Sequence, residues 1–452
     1  MKRITIIGGG ASGTLLMVNL LRHAGGREIE INLVERRAKI GRGVAFGTTR
    51  DSHLLNVPAG RMGAFPDDID DFHKWLTEKG FAYDSHDFVP RVKYGEYLRD
   101  VFTKATENVP ANIRLNLMDD EAVDMSVNGD SAEVMLRSGE VLPSSHVVLA
   151  FGNFKPPHPS VGDLSFVDSE RYFQDPWSSR LYDSLDPDDS VFIVGTGLSM
   201  IDVALHLNKH GHRGKISAIS TRGLLPAVHK LGFTYPDFSN ELKTTDRITD
   251  ILKTVLRHMK QAEATGSNWR AVIDSLRPAT QQLWLGLPTA EKRYFKQHLS
   301  RYWNVARHRM PGEAAAILEE MQAKGSLEIL KGRLKSITVG MDGGFDINFK
   351  TIGVEHSVAS DVLVNCIGSE ANFTRIDSEF VRNLIARRHI RPDELAMGIE
   401  ATPDGRVIDK NDEPSKVVRT LGTALKGILW ESTAIPEIRS QARDLALKLL
   451  KV

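Results

Sequence analysis

The feature that most constrains this chain is a glycine triplet near its start. Gly8-x-Gly10-x-x-Gly13 lies between a short apolar run, Ile4 to Ile7, and a segment from Ala11 to His23 with helical spacing. The apolar run shows no alternation, as expected of a strand buried on both faces. Ile29 to Val34 reads as a second strand and ends at Glu35. Strand, glycine turn, helix and strand in this register make a βαβ unit suited to a dinucleotide. The first glycine permits the tight turn, the second lets the backbone approach a pyrophosphate, and the third lets helix and strand pack closely. Gly8, Gly10, Ala11, Ser12 and Gly13 are therefore the expected cofactor-binding positions, with the helix N-terminus supplying N–H groups and positive dipole to the phosphates. Glu35, followed by Arg36, stands where a carboxylate would accept hydrogen bonds from ribose hydroxyls. The alternative, a glycine turn that binds nothing, leaves the register of strand, helix and acid without a cause.

The pattern recurs. Ser190 to Val194 is strand-like, Gly195 to Gly197 is a turn, Ser199 to Lys209 is helical and Lys215 to Ser220 is a second strand. A βαβ unit that appears twice points to two dinucleotide-binding halves. Gly195, Gly197 and Ser199 are its expected cofactor contacts. Met200 occupies the third glycine position, where a long side chain is expected to push the helix off the strand. No acid closes the second strand. Arg222 lies as far beyond Gly197 as Glu35 lies beyond Gly10, and an arginine there suits the 2′-phosphate of NADP. The alternative is a solvated loop arginine.

Composition sets the limits. At roughly 150 residues per domain, 452 residues allow two or three units. Lys plus Arg and Asp plus Glu are 58 each, so the net charge gives no electrostatic reason to expect nucleic acid or an anionic membrane as partner. The single cysteine, Cys366, excludes an internal disulfide and a redox-active cysteine pair, and fits a reducing cytoplasm. The N-terminal apolar stretch runs straight into the glycine turn and reads as a strand, not a secretory signal. No window reaches the ~20 apolar residues of a membrane span. No HExxH or Cys/His cluster has metal-ligand spacing, so no metal is expected.

Glycine and proline concentrate in residues 151–159, as in a crossing linker. The expected fold class is α/β, with two Rossmann-like dinucleotide-binding domains and a helical insertion. The first domain takes residues 1–155 and 361–452, the second 156–235 and 325–360, and the insertion 236–324. Residues 435–452 read as an amphipathic terminal helix. Residues 301–309 mix aromatics with cations, and read as a helix terminus with solvated arginines and a packed tryptophan. An anion or nicotinamide contact is the competing reading.

The order of motifs resembles the two-dinucleotide flavoproteins that include flavin-containing and N-hydroxylating monooxygenases. It is similar in particular to bacterial FAD/NAD(P)-binding proteins whose better-understood members include FAD-dependent urate hydroxylase and L-aspartate N-monooxygenase. The carrying segments are Gly8 to Gly13 with Glu35, GRGVAFG over 41–47, LLNVPAGRM over 54–62, PRVKYG over 90–95, VGTGLSM over 194–200 and GTALKGILWESTAIPE over 422–437. The resemblance implies FAD at the first turn and NADP(H), with NADH as the alternative nicotinamide, at the second. It implies that bulk at Met200 is tolerated, that Asn56 to Met62 lies along the flavin, and that the C-terminal motif caps the isoalloxazine. Thr433 and Pro436 then open a helix aimed at the flavin, where an N-terminal dipole would stabilise the reduced anion. Gly152 and Gly368 resemble strand-to-glycine crossings between the two domains. Arg61 and Trp430 are the candidates for the reacting face.

These features imply an NAD(P)H-using flavoenzyme that hydroxylates a small nitrogen-containing metabolite with molecular oxygen, through an oxygen adduct at flavin C4a. The alternatives are a reductase passing electrons to a quinone or other acceptor, and a non-catalytic flavin-binding protein, for which the second nucleotide fold would have no task.

Overall fold

The computed structural model describes residues 1–36, 40–243 and 247–451. Two parallel-rich sheets dominate it. The first has six strands in the order 406–408, 414–420, 146–149, 2–7, 29–34, 113–118, and the second has five, 327–331, 216–220, 191–194, 362–365, 172–173. Two antiparallel three-stranded sheets, 122–144 and 333–360, accompany them. The mixed α/β class expected from the doubled βαβ pattern is the observed one.

Each glycine turn sits at the carboxyl end of a central strand. Lys2–Ile7 is flanked by Ile29–Val34 and His146–Leu149, all parallel, and Val191–Val194 is flanked in the same way by Ile216–Ser220 and Val362–Asn365. Strands covered on both faces read as continuous apolar runs, and all four residues of Val191–Val194, His146–Leu149 and Val362–Asn365 are buried. The sequence division placed 362–365 with the C-terminal part of the first domain. The structure pairs that strand with Val191–Val194, so the chain returns to the first sheet only after Asn365. Strand pairing is a tertiary choice, and a four-residue apolar run suits either sheet.

The terminal helix, Ile435–Lys451, lies against the first helix, Ala11–His23. Its Ile438, Ala442, Leu445 and Leu449 recur at helical spacing and join Leu15, Leu16 and Leu20 in one core. Met200 does not push its helix away. It is fully buried in the second core among Val191, Ile193 and Val364, filling the space a third glycine would leave. Met200→Gly, although it restores the fingerprint, should therefore destabilise the protein by about 3–5 kcal/mol, measured by urea unfolding.

Candidate functional site

The two turns are built by one device used twice. Gly8 N–H donates to Val34 O at 2.9 Å and Gly195 N–H to Ile219 O at 2.8 Å. Ala150 N–H donates to Ile7 O at 2.9 Å and Cys366 N–H to Val194 O at 2.8 Å. Both first glycines have left-handed φ, +106° and +115°, and a Cβ there would lie 2.6 Å from Ala150 O or 2.3 Å from Cys366 O. No other residue fits either position without moving the neighbouring strand.

The first turn is the tighter. A Cβ on Gly13 would lie 1.9 Å from Gly8 O, so helix and turn are in backbone contact, as the third-glycine rule requires. Gly43, in the 41–47 loop, brings its Cα to 3.5 Å from the same point on Gly10. Among the described residues the amides of Gly10, Ala11 and Ser12 take no partner within the fold, and no acid occupies the first helical turn. These free donors at a helix N-terminus form an anion cradle. Glu35 Oε2 accepts the Gly9 N–H at 2.8 Å, which places the carboxylate at the lip of the cradle. Arg36 turns away and pairs with Glu121 at 3.3 Å. Thr14, which spacing does not single out, ties the turn to the next loop: its Oγ1 donates to Gly9 O at 3.0 Å and accepts the Gly41 N–H at 3.1 Å.

The second turn is looser. Gly197 has open space where its Cβ would stand, and Ser199 is partly exposed in the first turn of Leu198–Lys209. The strand registers show that Ile7 corresponds to Val194 and Val34 to Ile219, so Ser220, not Arg222, takes the place of Glu35. The count from Gly197 misses by two because the path from the turn to the strand end is 23 residues here and 25 in the first unit. Ser220 Oγ accepts from Thr196 Oγ1 at 2.9 Å and from the Gly223 N–H at 3.0 Å. Arg222 is exposed two residues further on, without an ion pair among the described residues. A neutral residue in the acid's place with a free arginine beyond it is compatible with a 2′-phosphate.

The 54–62 segment is held from two sides. His229 Nε2 donates to Asn56 O at 3.1 Å, and burial pushes its ring down to about 4, which keeps the ring neutral. Arg439 of the terminal helix donates to Arg61 O at 3.2 Å and Gly63 O at 2.9 Å. The Arg61 side chain itself is exposed, and Met62 is buried in the first core. The C-terminal motif closes against the first turn. A Cβ on Gly422 would lie 2.8 Å from Ser12 Oγ, and the Gly422 N–H donates to Gln441 Oε1 at 2.8 Å. Thr423 Oγ1 donates to Phe151 O at 2.8 Å and to Gly152 O at 3.2 Å, which joins this motif to the first crossing. Gly368, at the second crossing, has a φ of +101° and open space around it. Thr433 is exposed just before the terminal helix, with Pro436 as its second residue.

Above this motif sits the helical insertion, and polar links bind the two. Trp284 Nε1 donates to Gly427 O at 2.9 Å, Gln281 Nε2 to Glu431 O at 3.3 Å and Trp303 Nε1 to Glu431 Oε1 at 2.7 Å, while Arg277 pairs with Glu437 at 2.7 Å. Trp430 is buried between Trp284, 5.0 Å away between ring centroids, and Phe295, at 5.2 Å. Arg307 and Arg309, in 301–309, are not the solvated arginines the sequence suggested. Arg309 is buried and bonds both oxygens of Asp274 at 2.9 Å, and Arg307 lies 3.5 Å from Glu431. Their carboxylate partners are distant in sequence and invisible to a local reading. Among the described residues no cluster of three or more His, Cys, Asp or Glu could hold a metal, and no helix is long and apolar enough to cross a membrane.

The fold thus has two glycine-turn βαβ units and an insertion packed over the C-terminal motif. Residues 5–154 match the family model described as FAD-NAD(P)-binding. Solved structures of the same fold include an ornithine N-hydroxylase from Kutzneria sp. 744 (TM-score 0.66, 14% identity, 99% of this chain and 98% of that one). A cadaverine monooxygenase from Erwinia amylovora, bound to FAD, matches at TM-score 0.65 and 16% identity over 99% and 94%. Among curated proteins, the uncharacterized YdhS of Escherichia coli is 24% identical over 45% of this chain and 39% of its own length. The nitrosuccinic acid synthase npaA of Aspergillus oryzae is 24% identical over 47% and 36%. The match thus spans less than two-fifths of either curated relative.

Proposed function

We propose that this chain is an FAD-dependent, NADPH-using monooxygenase that hydroxylates a small nitrogen-containing metabolite. The observation that carries the reading is the doubled glycine turn together with a lone, buried cysteine. Thioredoxin reductase of Thermoplasma acidophilum shares the fold at TM-score 0.53, but Cys366 has no second cysteine to pair with, and burial raises its thiol well above its ordinary value. The first turn fits FAD: its glycines leave no room for side chains, and its amides wait for an anion.

Bound there, the flavin supplies the redox and oxygen-activating chemistry, and the protein positions and shields. The amides of Gly10, Ala11 and Ser12 bind the pyrophosphate, and Glu35 accepts from the ribose hydroxyls. The N-terminus of Ile435–Lys451 orients the flavin's polar edge. Trp284, Phe295 and Trp430 form an apolar wall that keeps water out. Arg61, exposed and without a carboxylate partner among the described residues, would serve at the reacting face as a cation for substrate.

The test is a screen of amines and amino acids with the FAD-loaded protein, NADPH and oxygen, with hydroxylated product measured against NADPH consumed. Product in proportion to NADPH is the expected result. NADPH consumption that depends on a quinone and yields no oxygenated product would make the chain a reductase, and no NADPH oxidation with any additive would make it a non-catalytic flavin binder. Arg222→Ala should lower the preference for NADPH over NADH about tenfold, the worth of one charge-assisted phosphate contact. An unchanged ratio of kcat/KM values would remove Arg222 from the site.

A further inference from the structure

The opposite end of the first sheet carries polar groups that the proposed reaction does not use. His146 lies opposite Ile4 and Leu149 opposite Ile7, so His146 is at the end of the sheet remote from the glycine turn. Four residues of strand, about 13 Å, separate it from Ala150 beside Gly8. Pro414–Thr420 runs parallel alongside, and Arg406 pairs with Arg419 across the next strand. These strands, with the 129–130 turn of the 122–144 sheet, bring Ser145, His146, Arg406, Lys416, Arg419 and Asp130 around a cleft of about 390 Å³.

Two of these side chains are buried with polar atoms left open. His146 is 7% exposed and Arg419 6%, yet His146 Nδ1 and Arg419 Nε and Nη1 make no hydrogen bond among the described residues. The carboxylate facing Arg419 is Asp404, 3.8 Å from Nη1, and it is shared with Arg406 at 3.4 Å and Lys448 at 3.7 Å. Among the described residues the Lys416 ammonium pairs only with the exposed Asp130, at 3.6 Å. Four cations thus share two carboxylates. Burial holds the Arg419 guanidinium below its ordinary range, and it lowers His146 as well, reinforced by the charges of Lys2 and Arg419. A buried donor left unmade costs about 1–3 kcal/mol, more when charged, and native folds seldom leave one without an ion or water to meet it. The missing partner is an acceptor-rich anion, since the open positions are a guanidinium edge and an ammonium, and the His146 ring gains a second N–H donor when it is protonated beside a bound anion.

We propose that this cleft is a binding site for a phosphate-class dianion, either free or as the phosphoryl group of a small metabolite. The guanidinium of Arg419 is the central contact, with Arg406, Lys416 and His146 around it. The site is separate from both nucleotide turns. It is nevertheless mechanically close to the first: Thr420, next to Arg419, donates to Leu149 O at 2.8 Å, and Gly422 lies two residues further on. An anion held here ties the strand that leads into the C-terminal motif to the strand that leads into the first crossing.

Calorimetric titration of inorganic phosphate into the FAD-loaded, NADP-free protein tests this, with the His146 ring followed by NMR. One saturable site is expected, with an upward shift of the His146 titration on binding. Arg419→Gln should weaken binding about tenfold or more, leaving flavin content and NADPH oxidation unchanged. Arg222→Ala should leave phosphate binding as it is, which separates this cleft from the nicotinamide site. Glycerol 3-phosphate binding more tightly than inorganic phosphate would identify a phosphomonoester as the ligand, and the reverse order would identify the free ion. If Arg419→Gln fails to fold, His146→Gln carries the same expectation. Absence of saturable binding, equal affinity in Arg419→Gln, or loss of binding in Arg222→Ala instead would overturn the proposal.

Discussion

Gly13→Ala is expected to yield a folded protein largely free of flavin, with affinity for added FAD lowered about a hundredfold, or about 3 kcal/mol. A Cβ at this position would lie 1.9 Å from Gly8 O and 3.3 Å from Ile6 Cγ2. The nearest obstacle is backbone, which has no rotamer to change, so the first helix must move off the strand. Its N-terminal amides move with it and no longer converge on the pyrophosphate. The ratio of flavin absorbance to protein in the purified sample is the measurement. Gly197→Ala is the control, because nothing lies within 4 Å of its Cβ position and flavin content should stay full. Stoichiometric flavin in Gly13→Ala would mean that the first turn is not the FAD site.

Glu431→Ala should cost about 3–5 kcal/mol of stability, as when one partner of a buried ion pair is removed. Glu431 joins the insertion to the C-terminal motif: Trp303, Arg307 and His308 all turn toward its carboxylate, and its own φ of +65° is a strained left-handed conformation. Burial alone would raise its carboxyl. The hydrogen bond and charge of His308, the charge of Arg307 and the Trp303 indole outweigh burial and bring it down to about 2. A folded value below the unfolded one means that the ionised carboxylate stabilises the fold. The contribution, about 3 kcal/mol, is full above pH ~4.5, declines as the pH falls and is gone below pH ~2. Urea midpoints measured from pH 6 to pH 3 should therefore fall more steeply for the wild type than for Glu431→Gln. Parallel curves would show that Glu431 is not the coupled group. Flavin content should survive in both variants, since the first turn is untouched, whereas product formed per NADPH should drop as the apolar wall loosens.

How far the sequence could be read depended on how local each feature is. The first βαβ unit was legible in full, because its glycines, helix and Glu35 are spaced by the geometry of a single connection. The second was legible as a unit but misaligned at its end. A path from turn to strand end two residues shorter puts Ser220 where the acid would be, and counting alone could not reveal that shortening. Met200 broke the fingerprint, yet it fills the second core, because packing tolerates a side chain wherever the neighbouring elements leave space for it. The insertion's helices showed in their periodicity. Its attachment did not, since Trp284 meets Gly427, and Trp303 meets Glu431, across more than a hundred residues of chain. His146 and Arg419 gave no signal at all, each an ordinary strand residue until parallel pairing, with Arg419 opposite Val148, puts their strands next to each other.

The sequence by itself determined the class of fold and the presence of two nucleotide turns, because turn geometry and strand burial act within some thirty residues and leave their mark in residue type. It also excluded dithiol chemistry by supplying one cysteine. Only the tertiary structure decided which strand joins which sheet, which residue stands in the acid's place in the second unit, and how the insertion closes over the C-terminal motif. It alone assembled the basic cleft at the far end of the first sheet. Those outcomes depend on pairing and packing between distant segments, where many local sequences fit and the whole core selects one.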